Sequence, residues 1–121
     1  MALVWKQSGN CRNGLATVVA GTPIPLADGN DPLWIEHLFV QMRTGGSSRG
    51  LVYRGVPPGA AAADISTVCG PPAEMSAASS DGPGGSYEYD PGPNGCVDLR
   101  TFAVDGLNTG DTIMIDARVR N

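Results

Sequence analysis

Residues 111–119 read Asp-Thr-Ile-Met-Ile-Asp-Ala-Arg-Val, and this stretch decides the fold class. The apolar residues at every second position are Ile113, Ile115, Ala117 and Val119. The residues between them are Thr112, Met114, Asp116 and Arg118. Successive side chains of a strand point to opposite faces, so this alternation is typical of an antiparallel strand with its apolar face on a core and its other face in solvent.

Two more strands are predicted on the N-terminal side of this stretch. The first covers residues 98–104 and is joined to residues 111–119 by the turn sequence Asp-Gly-Leu-Asn-Thr-Gly. The second covers residues 33–42. In a regular strand, one of its faces carries Trp34, Glu36, Leu38, Val40 and Met42, and the other carries Ile35, His37, Phe39 and Gln41. Since both faces are largely apolar, we expect a central strand that is covered on both sides for part of its length.

The composition predicts many turns between short strands. The chain has 121 residues, the size of one domain, and its 17 glycines and 10 prolines are about twice the usual share. Further extended segments are expected at 15–26, 51–54 and 65–69. We therefore predict an all-β fold, an antiparallel β-sandwich or jelly roll of six to eight short strands formed by residues 15–121. Residues 1–14 are predicted to be an N-terminal arm or an edge strand, and the glycine- and proline-rich residues 79–95 a long surface loop around a polar strand.

The charge distribution argues against nucleic acid as a partner. Residues 1–60 carry five basic and three acidic side chains, a net charge of +2, whereas residues 61–121 carry three basic and nine acidic ones, a net charge of −6. Neither half has the clustered lysines and arginines that nucleic-acid binding requires. Two interpretations of the asymmetry stay open: attraction between neighbouring copies, or scattered solvated charges.

No membrane contact and no secretion are expected from the sequence. No stretch approaches the ~20 apolar residues of a membrane span, and the opening residues lack the basic and apolar blocks of a secretory signal. We therefore expect synthesis in the cytoplasm, where Cys11, Cys69 and Cys96 would be reduced and partly buried. A disulfide between Cys69 and Cys96 is the alternative in an oxidising medium, and their spacing does not decide between the two.

The residue types that carry catalysis are sparse. His37 is the single histidine, and no nucleophile-elbow pattern accompanies it. The histidine and the cysteines lack a paired metal-ligand spacing. The acidic residues raise a calcium site as one interpretation and solvated turn charges as the other, and their spacing matches no calcium-loop motif; they are Asp81, Glu88, Asp90 and Asp98. We predict no catalytic residue, no cofactor and no metal, and so a protein that is not an enzyme.

Candidate interface residues are the large apolar, aromatic and arginine side chains of segments expected at the surface. The candidates are Leu3, Trp5, Arg12, Arg49, Tyr87 and Tyr89.

Four segments carry a resemblance to a known group of proteins. They read Trp34-Ile-Glu-His-Leu-Phe-Val-Gln-Met42, Gly46-Ser-Ser-Arg-Gly-Leu-Val-Tyr-Arg-Gly55, Val97-Asp-Leu-Arg-Thr-Phe-Ala-Val-Asp-Gly106 and Thr109-Gly-Asp-Thr-Ile-Met-Ile115. Their order resembles that in small β-sandwich virion proteins of tailed bacteriophages. The resemblance covers residues 33–55 and 97–116, about a third of the chain. Residues 79–95 depart from it, because those proteins often have a short Pro-Gly step before the penultimate strands.

The resemblance implies a capsid cement, or decoration, protein of a virion. Such a protein sits at junctions between subunits of the major capsid protein, stabilises the head shell and is expected to be a homotrimer. Its partners would be the major capsid protein and its own copies, and residues 1–14 and 79–95 would be the docking segments. Two alternatives stay open: a tail- or fibre-associated module that binds host glycans through Tyr87 and Tyr89, and an unrelated cellular β-sandwich adaptor.

Overall fold

The computed structural model describes residues 6–8, 11–17, 24–27, 31–44, 49–59, 64–65, 69–78, 82–108 and 110–120. These residues form ten strands, eight of them with three residues or more. The strands are β1 (Lys6–Ser8), β2 (Cys11–Thr17), β3 (Ile24–Pro25), β4 (Trp34–Thr44), β5 (Gly50–Arg54), β6 (Ala73–Met75), β7 (Ser86–Tyr89), β8 (Val97–Asp98), β9 (Phe102–Asp105) and β10 (Thr112–Val119). Within the described ranges, no helix has the length and apolar character needed to cross a membrane.

The strands form two antiparallel sheets that pack face to face. The larger sheet has the order β1-β2-β10-β4-β7, with β8 also paired to β4, and the smaller sheet has the order β3-β9-β5-β6. The main core lies between them and combines β4 and β10 residues with Val52, Phe102 and Val104 of the smaller sheet. The prediction of an all-β antiparallel sandwich is confirmed.

Strand β10 is the centre of the larger sheet. It pairs with β2 on one side and with β4 on the other, so that Ile115 lies opposite Val40 and Ala117 opposite Leu38. Its predicted apolar face is buried, whereas Asp116 and Arg118 are exposed. The alternation predicted for residues 111–119 is therefore confirmed.

Strand β4 contains a β-bulge that changes which residues face the core. Arg118 pairs with His37 but Val119 pairs with Ile35, which leaves Glu36 as the extra residue. A bulge inserts one residue and so shifts the alternation beyond it. Ile35 and Leu38 are both fully buried as a result, while Trp34 is 46% exposed. The regular-strand prediction that Trp34 shares a face with Leu38 is wrong for this reason.

The predicted strand over residues 98–104 is interrupted. The chain leaves the larger sheet after Val97–Asp98, makes a 3₁₀ turn over Leu99–Thr101, and enters the smaller sheet at Phe102. The Asp98 side chain accepts a hydrogen bond from the Arg100 backbone N–H at 3.0 Å and so begins this turn. One short segment thereby contributes to both sheets.

A second, smaller core cluster covers the other face of the smaller sheet. Tyr53 and Ala103 project to that side and pack with Val56 and Ile65. Since residues alternate along β5, Val52 and Arg54 project to the opposite side, toward the larger sheet. Val52 and Arg54 therefore lie on the side of β5 that faces the larger sheet.

Candidate binding groove

Four of the six predicted interface residues belong to the described part of the chain. Leu3 and Trp5 lie outside the described residues, and Arg12 belongs to β2, where its backbone pairs with Ala117 of β10. Arg49 precedes β5, and its exposed guanidinium lies 3.1 Å from the Glu74 carboxylate. Tyr87 and Tyr89 lie together at one surface feature.

That feature is a groove between the last strand of each sheet. Within the described ranges, β7 pairs with β4 alone and β6 pairs with β5 alone, so each strand ends its sheet. Residues of both strands line one groove, so the two ends lie on the same side of the sandwich. The groove has a volume of about 610 Å³. We call it the edge groove; it is lined by Val52, Arg54, Gly70, Pro71, Pro72, Ala73, Tyr87, Glu88 and Tyr89.

The two tyrosines face the interior side of the larger sheet. Tyr87 lies opposite Val40 and Tyr89 opposite Leu38, and both partners are fully buried core residues. The tyrosines are half-buried and pack against this core. Tyr89 also meets Phe102 edge-to-face, with 5.3 Å between the ring centroids. The strand predicted to be polar therefore has one aromatic face, directed at the edge groove, and one polar face formed by Ser86 and Glu88.

Arg54 reaches across the edge groove from the smaller sheet. Its guanidinium carbon lies 5.2 Å from the centroid of the Tyr89 ring, within the range of a cation–π interaction. The side chain is exposed and has no carboxylate within ion-pair distance in the described part of the chain. Burial raises the pKa of Tyr87; the positive charge of Arg54 opposes this effect and the nearby Tyr89 adds to it.

A pair of glycines before β7 connects the edges of the two sheets. Gly85 donates its N–H to the carbonyl oxygen of Ser76 at 3.0 Å, directly after β6, and Gly84 donates to Met42 of β4 at 2.8 Å. A Cβ atom at Gly84 would collide with the backbone of Ser76 and Ala77. The segment before β7 thus ties the two sheet edges together, and glycine is required because the two backbones approach so closely.

A second, more polar pocket lies on the other face of the larger sheet. It has a volume of about 570 Å³ and is lined by Glu36, His37, Asp90, Gly92, Pro93, Asn94, Gly95 and Arg118. His37 Nε2 lies 3.1 Å from the Glu88 carboxylate, and Arg120 lies 3.3 Å from Glu36. These pairs are largely exposed, so they orient side chains at the rim with little effect on stability.

The acidic and cysteine residues that the sequence singled out have these surroundings in the structure. Among the described residues, no group of three or more histidine, cysteine, aspartate or glutamate side chains lies close enough to hold a metal ion. Cys69 and Cys96 are both free thiols and half-buried. Asp98, one of the acids considered for calcium, instead caps the turn that follows β8.

The edge groove offers an extended ligand three kinds of contact. These are the backbone edge of β7, the apolar and aromatic side chains at its floor, and one guanidinium at its end. Sequence reasoning found the tyrosines but missed Arg54, Pro71 and Pro72, which meet β7 only through the packing of two sheets. Comparison of the chain with protein-family models, with curated proteins and with solved structures gives no match.

Proposed function

We propose that the chain is a cement protein of a bacteriophage capsid, which docks on subunits of the head shell and stabilises it. The observation that carries this proposal is the edge groove between β6 and β7. A strand at the end of a sheet has backbone donors and acceptors that another chain can satisfy. An extended segment of a partner can therefore bind there by adding a strand.

The resemblance to virion proteins supports the same proposal from another direction. Its segments correspond to β4, β5, β8, β9 and β10, which build the centre of the sandwich. The resemblance thus concerns the scaffold, and the edge groove supplies the docking surface that the scaffold holds. Only 17% of the residues are charged, which suits a protein that buries much of its surface against neighbours.

A cement protein can bind its capsid stably through many weak contacts. Copies arranged on a regular shell bind with high effective concentration, so that each contact can be modest. A homotrimer would multiply the contacts further, and the opposite net charges of residues 1–60 and 61–121 would favour association between copies.

The edge groove favours a protein partner over a host glycan. Carbohydrate binding through Tyr89 would need an open ring face on which a sugar could stack. Arg54 lies over that ring at 5.2 Å, and the Phe102 ring contacts it from another side. A sugar would have to displace the guanidinium, whereas a strand added at the backbone edge of β7 would not.

The experiment is the stoichiometry of the full chain in purified particles of the phage that encodes it. We expect a fixed ratio to the major capsid protein, and particles made without the chain should release their DNA at a lower temperature. Adding the purified protein back to those particles should restore the higher temperature. Absence of the chain from particles contradicts the proposal, and a few copies per particle with glycan binding would support a tail module instead.

A further inference from the structure

We infer that the edge groove receives one extended segment of the shell protein as an additional strand on β7, with a carboxylate of that segment bound to Arg54. The inference rests on the proposed function and names the contact through which docking occurs.

The strand edge determines the shape of the ligand. β7 has four residues and lies at the end of the larger sheet, with β6 of the smaller sheet facing it across the edge groove. A strand added to β7 would continue the larger sheet at a spacing of about 4.8 Å, along the edge that no strand of the described residues covers. An extended segment of about four residues therefore fits the available edge.

The floor of the edge groove determines the side chains of the ligand. Tyr87 and Tyr89 share one face of β7, and Val52 and Ala73 are a cross-strand pair on the other wall. Side chains at alternate positions of an added strand would point to this floor. We expect the side chains of the ligand that point to this floor to be small or branched and apolar, because the two tyrosine rings already fill part of the space.

The guanidinium of Arg54 determines the charge of the ligand. Among the described residues, no carboxylate lies within 4.0 Å of the Arg54 guanidinium, and the Tyr89 ring is the contact that the structure gives it. Its planar fork can bind a carboxylate through two parallel hydrogen bonds, and its stacking on Tyr89 already restricts its position. An aspartate or glutamate in the added strand, or a chain terminus, supplies the matching group.

The test uses particles that lack the chain as the binding probe, with the full-length chain and three variants. Arg54→Glu reverses the charge in the edge groove, and Arg54→Lys keeps it. Arg43→Glu makes the same reversal at an exposed arginine of β4 that does not line the edge groove and whose guanidinium contacts Gln41. Loss of a buried charge pair typically weakens binding by tenfold or more. We expect Arg54→Glu to lower the affinity for particles by about tenfold or more. Arg54→Lys keeps the charge but loses the planar fork, so it should lower the affinity by a smaller factor, about threefold. Arg43→Glu should leave the affinity within about twofold.

A second measurement reports on the added strand itself. Hydrogen exchange of residues 86–89, followed by mass spectrometry, should slow by about tenfold or more when the chain is bound to particles, because the edge amides of β7 gain partners. The far-ultraviolet circular dichroism and melting temperature of each variant show whether it is folded. Arg54→Gln serves as the neutral variant if charge reversal disturbs the fold.

The outcomes separate the inference from the proposed function. Equal binding of all Arg54 variants, or unchanged exchange of residues 86–89 in the bound chain, overturns the inference while docking on particles stands. A host oligosaccharide could also displace the chain from particles and, when bound, slow the hydrogen exchange of residues 86–89. That result would overturn the inference and show that the edge groove binds a glycan. Failure of the unaltered chain to bind any particles removes the proposed function, and the inference with it.

Discussion

The carboxylate of Asp98 joins two segments that lie 65 residues apart, because its Oδ1 accepts a hydrogen bond from the backbone N–H of Leu33 at 3.1 Å. The same oxygen accepts from the Arg100 backbone N–H, and Oδ2 accepts from the Arg100 guanidinium at 2.8 Å. Asp98 is only 8% exposed. One side chain thus fixes the start of β4 and the point at which the chain passes from one sheet to the other.

Replacement of Asp98 by alanine should be among the more damaging single changes at a polar position. It removes the acceptor of the Leu33 N–H and leaves the guanidinium of Arg100 partly buried without its carboxylate. We expect a loss of about 3 kcal/mol in the free energy of unfolding, measured by urea denaturation. The matched control is Asp105→Ala: within the described ranges, this carboxylate accepts a hydrogen bond from the exposed N–H of the next residue, Gly106. A loss no greater than that of the control would contradict the role assigned to Asp98.

The stability supplied by Asp98 should depend on pH in the acid range. Burial raises the pKa of Asp98, but the hydrogen bonds from Arg100 and Leu33 and the charge of Arg100 outweigh it, so the pKa lies below its ordinary value. The unfolded chain then takes up the proton first as the pH falls. The stabilisation is complete above the ordinary pKa of about 3.9 and is lost as the pH falls from there through the folded value.

The measurement is the difference in unfolding free energy between the unaltered chain and Asp98→Asn at a series of pH values. This difference cancels the contributions of the other carboxylates, provided they do not interact with residue 98. It should be constant above about pH 5 and shrink below about pH 4. A difference that stays constant down to pH 3 or so would mean that the pKa of Asp98 is not lowered by folding.

The parts of the fold that follow from the sequence are those with a regular local pattern. β10 was predicted with its faces because eight consecutive residues alternate without interruption. The bulge at Glu36 has no mark in the sequence, since it is produced by pairing with β10. The alternation of residues 98–104 does not reveal the break at Asp98 either. An aspartate in a sequence can be a buried residue that caps a turn or an exposed residue of a strand, and the sequence does not distinguish the two.

The candidate site was predictable only in part for a similar reason. Tyr87 and Tyr89 stand out as two aromatic residues in an otherwise polar segment. Arg54, Pro71 and Pro72 lie near these tyrosines because the edges of the two sheets pack together. The spacing of these residues along the sequence does not predict that packing. The side chains of a single strand can be predicted from its sequence, but the residues that line a groove between two sheets depend on how the strands are ordered in each sheet.

The bulge in β4 can be tested by comparing two adjacent residues. Ile35 is fully buried, so Ile35→Ala should cost about 3 kcal/mol through lost apolar contacts and the cavity that remains. Trp34 is 46% exposed, so Trp34→Ala should cost about 1 kcal/mol or less despite the larger side chain removed. Thermal unfolding of both variants gives the comparison. If Trp34→Ala were the more damaging change, the regular alternation would hold and the bulge would be refuted.

The close approach of backbones at Gly84 gives a further prediction. A methyl group there would collide with the carbonyl groups of Ser76 and Ala77, which cannot move aside as a flexible side chain would. We expect Gly84→Ala to cost about 2 kcal/mol or more, measured by urea denaturation. Gly82→Ala is the control, because a Cβ atom at Gly82 meets nothing within 4 Å. Equal stability of the two variants would show that β6 and the segment before β7 are not tied together.

The electrostatic contact between Arg54 and Tyr87 can be read from the titration of the tyrosine. Because the positive charge of Arg54 opposes the rise in the pKa of Tyr87 that burial causes, Arg54→Gln should raise that pKa further. Nuclear magnetic resonance of chains with carbon-13-labelled tyrosine follows each phenol, and Tyr87→Phe identifies its signal. Arg54→Lys keeps the charge and should leave the pKa near that of the unaltered chain. A pKa unchanged in Arg54→Gln would place the guanidinium away from the groove, and the carboxylate expected of a bound strand would then have no partner there.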